Sequence, residues 1–169
     1  KKAQFSLLSA GVPGSVAGFH HALINYGTLS WQEVIQPSIE LAEKGFLIPH
    51  DLANTLASKR YRERLSSDPA ASKVFYKDDG SLYSAGELLI QKDLALTLKQ
   101  ISEQGPDAFY KGKIAKLIVR EMEKNGGLIT LDDLENYNIV ERDPVVGTYK
   151  DFKIVSMPPS SSGGTHLIQ

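Results

Sequence analysis

Glycine punctuates this chain at the ends of helically spaced apolar runs, and that pattern limits the fold more than any other feature. Val16, Phe19, Ala22, Leu23 and Tyr26 recur on one helix face, and Gly27 follows them. Ser15 is placed to cap that helix. Ser30 and Glu33 then form an S-x-x-E capping box, opening a helix through Val34, Ile35, Ile39 and Leu41 that stops at Gly45. Pro37 lies inside it and predicts a bend or a division. A third helix is expected over about Asp51 to Leu65, with Lys59, Arg60, Arg62, Glu63 and Arg64 as a solvated face. Helices follow at about Gln91–Glu103 and Lys113–Asn125, with a shorter piece at Pro106–Tyr110 between them. Gly126 and Gly127 end the last of these, and Thr130 caps the short helix of "LDDLENY".

Strand patterns are sparser. Gln4–Ser9 reads as a strand, and "VFYKDDGSLY" as two short strands around an Asp79-Gly80 turn. From Val145 to Met157, "VVGTY", a tight Lys150-Asp151 turn and "FKIVSM" predict a hairpin. The sum is an α/β (α+β), helix-rich chain with strands towards its ends. No internal repeat or linker is visible, so residues 1–169 are expected to form a single domain.

Composition removes several function classes. The 19 basic and 20 acidic side chains leave a net charge of −1, which argues against a nucleic-acid surface. With no cysteine, disulfides, thiolate zinc sites and a cysteine nucleophile are excluded. No apolar run approaches the roughly 18 residues of a membrane span. The opening "KKAQFSLLSAGVPG" imitates a signal peptide, but Ser6 and Ser9 break its apolar stretch.

Local motifs offer lures and no complete site. "MPPSSSGGTHLIQ" brings Ser160–Ser162 close to His166, but the glycine that G-x-S-x-G needs before its serine is missing. A strand exit at Pro158-Pro159 followed by a turn or helix entry, with glycines for close backbone approach, accounts for the run. Thr165 as a nucleophile exposed by self-cleavage would head a fragment of only five residues, too short to build a site. Gly11, Gly14 and Gly18 are spaced G-x-x-G-x-x-x-G, which favours a packing turn over a phosphate cradle. An EF-hand fails around Gly80, because Phe75 and Gly86 stand where carboxylates belong. His20, His21, His50 and His166 are scattered without metal-ligand spacing. Asp132 and Asp133 sit in a helix's first turn, where the macrodipole favours anions.

Longer stretches say more. "GVPGSVAGF" (Gly11–Phe19), "QPSIELAEKGF" (Gln36–Phe46), "GPDAFYKGKIA" (Gly105–Ala115), "NGGLITLDDLENY" (Asn125–Tyr137) and "MPPSSSGG" (Met157–Gly164) stand in this order. Together they closely resemble the γ-glutamyltranspeptidase family, almost end to end. One departure is visible: the family commonly has three prolines before its serine pair, and Ser160 stands third here.

That resemblance implies an N-terminal-nucleophile hydrolase with a four-layer αββα sandwich. Such a protein is made as a precursor that cuts itself into a large and a small subunit. The new N-terminal threonine attacks the γ-glutamyl amide of glutathione and related compounds, and the acyl group passes to water, an amino acid or a peptide. No metal or organic cofactor is implied. The stretch corresponds to an interior to late part of the large subunit. Its expected partners are the small subunit of the same precursor and, in the complete enzyme, the γ-glutamyl substrate.

The nucleophile, the oxyanion-hole glycines and the serine pair holding the substrate carboxylate are expected beyond Gln169, and the clamping arginine before Lys1. No catalytic, substrate-binding or metal residue therefore maps here. Ser161, Ser162, Gly163 and Gly164 are expected to support the cleft wall. The segment alone is expected to be inactive. A helical interaction module or an acylase of the same fold are the alternatives. The family's bacterial members are often periplasmic or secreted.

Overall fold

The computed structural model describes residues 6–169. Its contacts gather into two compact units, a larger one ending at Tyr137 and a smaller one, Asn138–Gln169.

The larger unit is helical. A 3₁₀ turn, Leu7–Ser9, leads to α1 (Ser15–Tyr26) and α2 (Trp31–Lys44). Strand β1 (Phe46–Leu47) precedes α3 (His50–Ala57), α4 (Lys59–Ser67) and α5 (Pro69–Phe75). After β2 (Leu88–Leu89) come α6 (Lys92–Gln104), α7 (Pro106–Tyr110), α8 (Lys113–Asn125) and α9 (Leu131–Glu135). β1 and β2 pair antiparallel, Phe46 opposite Leu89 and Leu47 opposite Leu88. Among the described residues no helix is long and apolar enough to cross a membrane.

Capping chemistry places the helix starts. The Ser30 hydroxyl accepts from the Glu33 N–H, and the Glu33 carboxylate accepts from the Ser30 N–H at 2.8 Å. Thr130 and Asp133 repeat the arrangement for α9, the carboxylate accepting from the Thr130 N–H at 2.9 Å. Gly45 ends α2 with φ of 85°, a conformation that side chains disfavour. A Cβ there would also lie 2.8 Å from the Leu89 carbonyl oxygen, so glycine lets α2 turn directly into the β1–β2 pair.

The core has two parts. Ile35 and Ile39 of α2 meet Ile101 of α6, Ala108 of α7 and Ile114 of α8. Tyr110, Ala115, Met122, Ile129 and Leu134 form the other. The Trp31 indole N–H donates to the Ile101 carbonyl at 2.9 Å, tying α2 to α6.

Several local expectations change. The strand expected over Gln4–Ser9 gives way to the 3₁₀ turn at Leu7–Ser9; Gln4 and Phe5 lie outside the described residues. Gly14, not Ser15, holds the N-cap place of α1, and Ser15 is its first residue. α2 runs undivided through Pro37, anchored by the burial of Ile35 and Ile39 on either side of it. The single helix expected over Asp51–Leu65 is two, because Ser58 is extended between them (ψ 142°). The Ser58 hydroxyl donates to the Thr55 carbonyl at 2.8 Å, a local bond that competes with helix continuation. Val74 and Phe75 belong to α5, which starts on Asp68 and Pro69, so only a Tyr76–Leu82 bridge brackets the Asp79-Gly80 turn.

The smaller unit is a hairpin with one helix. β3 (Val145–Tyr149) and β4 (Phe152–Ser156) pair antiparallel in full register, Val145 opposite Ser156 and Tyr149 opposite Phe152. Lys150, in the turn, has φ of 52°. α10 (Gly163–Ile168) packs on both strands.

Candidate functional site

The residues singled out from sequence lie where β4 leaves its sheet. The chain runs from Met157 through two prolines into α10, and the Pro159–Ser160 peptide is cis. Ser161 is half-buried, and its N–H donates to the Pro158 carbonyl at 3.2 Å, closing a turn. Ser162 is exposed at the N-cap place of α10, without a side-chain cap bond, and its carbonyl accepts the His166 N–H at 3.0 Å.

The two glycines differ. A Cβ on Gly163 would meet only the Ser161 hydroxyl, at 3.6 Å, an ordinary contact. A Cβ on Gly164 would lie 2.1 Å from the Met157 carbonyl oxygen and 2.9 Å from Val145 Cγ2. Gly164 is buried, and its missing side chain lets the first turn of α10 sit against the end of β4 and the start of β3. Gly147 in β3 does the same from the sheet side: a Cβ there would lie 2.4 Å from Ile168 Cγ2. Sequence reasoning passed over Gly147, although an isolated glycine inside a strand pattern is a signal of close approach.

This arrangement supports no Ser–His chemistry. Among the described residues no side-chain hydrogen bond joins His166 to Ser160, Ser161 or Ser162. Thr165 lies inside α10, its carbonyl accepting the Gln169 N–H, so it has no free amine to act as base. What the stretch does chemically is present a turn of fixed backbone on a glycine-packed helix.

The glycine turn Gly11–Ser15 resolves in the same way. The Tyr110 hydroxyl donates to the Pro13 carbonyl at 2.7 Å and accepts the Ala17 N–H at 3.3 Å. A helix-start donor that an anion would need is thus already taken. Gly14 leaves room for the Tyr137 phenol, since a Cβ would lie 2.0 Å from its oxygen. Tyr110 and Tyr137 stack at 5.5 Å between centroids. Burial pushes the Tyr110 phenol upward; the Ala17 N–H opposes this and Tyr137 adds to it. Both tyrosines close on the turn from elements far along the chain, which no local motif announces.

Several charged groups elsewhere serve local structure. The Ser30 hydroxyl, then its N–H, holds the Glu33 carboxyl below the usual range. The Thr130 hydroxyl and N–H do the same for Asp133. Lys77 pairs with Glu87 at 2.9 Å, raising the lysine and lowering the glutamate. His20 meets the Trp31 ring edge to face at 5.0 Å. Among the described residues no three metal-ligating side chains gather in one place.

With no reacting groups converging, the decisive comparison is with known proteins. The sequence model described as gamma-glutamyltranspeptidase matches residues 1–169. The chain belongs to the γ-glutamyltranspeptidase family. It is 46% identical over 169 residues to the glutathione hydrolase proenzyme of Escherichia coli (strain K12), covering 100% of this chain and 29% of that protein. It is 39% identical over 161 residues to the acylase ACY 1 proenzyme of Pseudomonas sp. (strain SE83), covering 95% of this chain and 28% of that protein. The crystal structure of Helicobacter pylori γ-glutamyltranspeptidase superposes with a TM-score of 0.93 at 48% identity, covering 98% of this chain and 47% of that one. The chain therefore spans less than a third of the length of the curated relatives it matches. In fold it is a helix-rich segment matching γ-glutamyltranspeptidase structures.

Proposed function

We propose that these residues are large-subunit scaffold in a γ-glutamyltranspeptidase-like proenzyme, one domain within its αββα sandwich. The whole protein moves the γ-glutamyl group of glutathione and related amides to amino acids, peptides or water. Its attacking group is the N-terminal threonine of the small subunit, outside these 169 residues. In this reading the threonine oxygen attacks the γ-carbonyl carbon, its own amine takes the hydroxyl proton, and the amide nitrogen leaves with a proton. The resulting ester is opened by water or an acceptor amine. Ser161, Ser162, Gly163 and Gly164 support the cleft wall without touching the reacting atoms.

The observation that carries this reading is the family match across the whole length, in a segment whose own serines, threonine and histidine do not converge. The test is to express the complete reading frame, follow its cleavage into two subunits, and assay a γ-glutamyl anilide. Cleavage with turnover is expected. An uncleaved, inactive product that is folded would overturn it. The acylase relative favours one second reading, an acylase of the same fold. Turnover of an acyl amide that lacks the α-amino and α-carboxyl groups, with none of the γ-glutamyl anilide, would select it.

A further inference from the structure

Five asparagines stand in this chain, and one of them, Asn125, is followed by glycine. Tyrosine, threonine or isoleucine follows the others, Asn25, Asn54, Asn136 and Asn138. The difference is chemical. A backbone nitrogen can attack the side-chain carbonyl carbon of the asparagine before it, and a side chain on the attacking residue hinders the approach. Glycine has no Cβ and reaches backbone conformations that other residues avoid. Asn125 and Gly126 are both exposed, so water reaches them.

The folded helix holds this pair back from reaction. Asn125 is the last residue of α8, and Gly126 follows it in the left-handed region, with φ of 70°. The Gly126 N–H donates to the Met122 carbonyl, which also accepts the Gly127 N–H at 2.7 Å. The attacking nitrogen is thus engaged in the helix end. The Asn125 amide is turned back along the helix: its Nδ2 donates to the Glu121 carbonyl at 3.0 Å and to the Glu121 carboxylate at 2.6 Å. Attack requires both sets of bonds to open, and the last turn of a helix is where such opening is easiest.

We propose that Asn125 is a site of spontaneous deamidation, held in check by Glu121. When the last turn of α8 frays, the Gly126 nitrogen bonds to Asn125 Cγ and gives its proton to solvent. The Cγ–Nδ2 bond breaks, and that nitrogen takes a proton from solvent and leaves as ammonia. Water then opens the five-membered imide at either carbonyl. Opening at Cγ leaves aspartate; opening at the main-chain carbonyl leaves isoaspartate, with the chain routed through Cγ. One water is consumed and one ammonia released. Either product places a new carboxylate one turn from Glu121, at the negative end of the helix dipole. The isoaspartyl product also lengthens the backbone where Gly127 packs closely, since a Cβ there would lie 2.3 Å from Met122 Sδ. Met122 belongs to the core part that holds Tyr110 and Leu134, so the modification loosens one edge of that core.

The complete protein and its Glu121→Ala variant are incubated at mildly alkaline pH, in buffer and in urea. Peptide mapping by mass spectrometry follows the gain of about 1 Da that marks amide-to-acid conversion, with the isoaspartyl form resolved by its elution. In buffer, Asn125 is expected to convert at least about tenfold faster than any of the other four asparagines. Glu121→Ala is expected to convert there about threefold faster than the unsubstituted protein. Alanine favours the helix and removes an acidic group from its C-terminal end, so helix stability alone predicts the opposite. In urea the two proteins should convert at the same rate. Conversion at Asn125 no faster than at the other asparagines overturns the proposal. So do equal rates for the two proteins in buffer, or an effect of Glu121→Ala that persists in urea.

Discussion

Each of the two units is stabilised internally by its own means. Every buried hydrophobic side chain among the described residues, from Ile35 to Leu134, belongs to the larger unit. In the smaller unit the one buried residue is Gly164, which has no side chain to bury. The larger unit is therefore stabilised by apolar volume removed from water. The smaller unit relies on close backbone fit, with Gly147 and Gly164 letting α10 press on a two-stranded sheet. A two-stranded sheet is marginal in water without further cover, and Val146 and Val155, paired across the hairpin, are exposed. The larger unit has both buried volume and close-fitted glycines such as Gly14 and Gly45, the smaller only the fit, so truncation should tell in the first and enlargement at Gly164 in the second.

The largest effect expected is in the larger unit. Leu134 is 0% exposed, and Leu134→Ala should cost about 2–5 kcal/mol, read as a drop in denaturant midpoint. A loss under about 1 kcal/mol would remove the volume side of the contrast. Next is Gly164→Ala, which puts a methyl group against the Met157 carbonyl and should cost about 1–3 kcal/mol. Gly163→Ala is its foil and should stay within about 0.5 kcal/mol, since its surroundings are open. Equal penalties at the two glycines would mean that fit at Gly164 is not what holds α10.

Tyr110→Phe sharpens the picture inside the larger unit. It strands the Pro13 carbonyl and the Ala17 N–H and should cost about 1–2 kcal/mol, with faster hydrogen exchange at Ala17. Ser30→Ala removes the α2 cap and should cost about 1 kcal/mol, measured by thermal unfolding.

The smallest effect is the pH dependence of that same cap. Glu33 has a folded value depressed below its ordinary 4.5. Its stabilising contribution is present above 4.5 and is lost as pH falls through the lower folded value. Acid titration of Glu33→Gln should show a shallower loss below that point than the unsubstituted protein; identical curves would contradict it.

What the sequence made legible was local. The Ser30–Glu33 box, the bounds Pro106–Tyr110 and Lys113–Asn125, and the β3–β4 hairpin follow from capping, helical spacing and turn chemistry within a few residues. The break at Ser58 has no proline or glycine to announce it. Helix α5 did carry a signal, Asp68 at the cap with Pro69 behind it, obscured by the strand-like "VFY" that follows. Strands β1 and β2 are two residues each and exist only because residues about forty apart pair, which no window detects. The candidate site shows the same division. A need for glycine near residue 164 was readable from the run of small residues. Its partners, Met157 and Val145, and the parallel role of Gly147 against Ile168 come from folding. The family resemblance was readable from whole stretches, where single motifs were silent.

The central claim is that these residues frame a reaction whose attacking oxygen is supplied from elsewhere in the polypeptide. The most direct measurement is peptide mapping by mass spectrometry, after the complete protein has reacted with an electrophilic γ-glutamyl analogue. The account predicts one adduct, on a peptide outside these 169 residues. An adduct on Ser160, Ser161, Ser162 or Thr165 would contradict it.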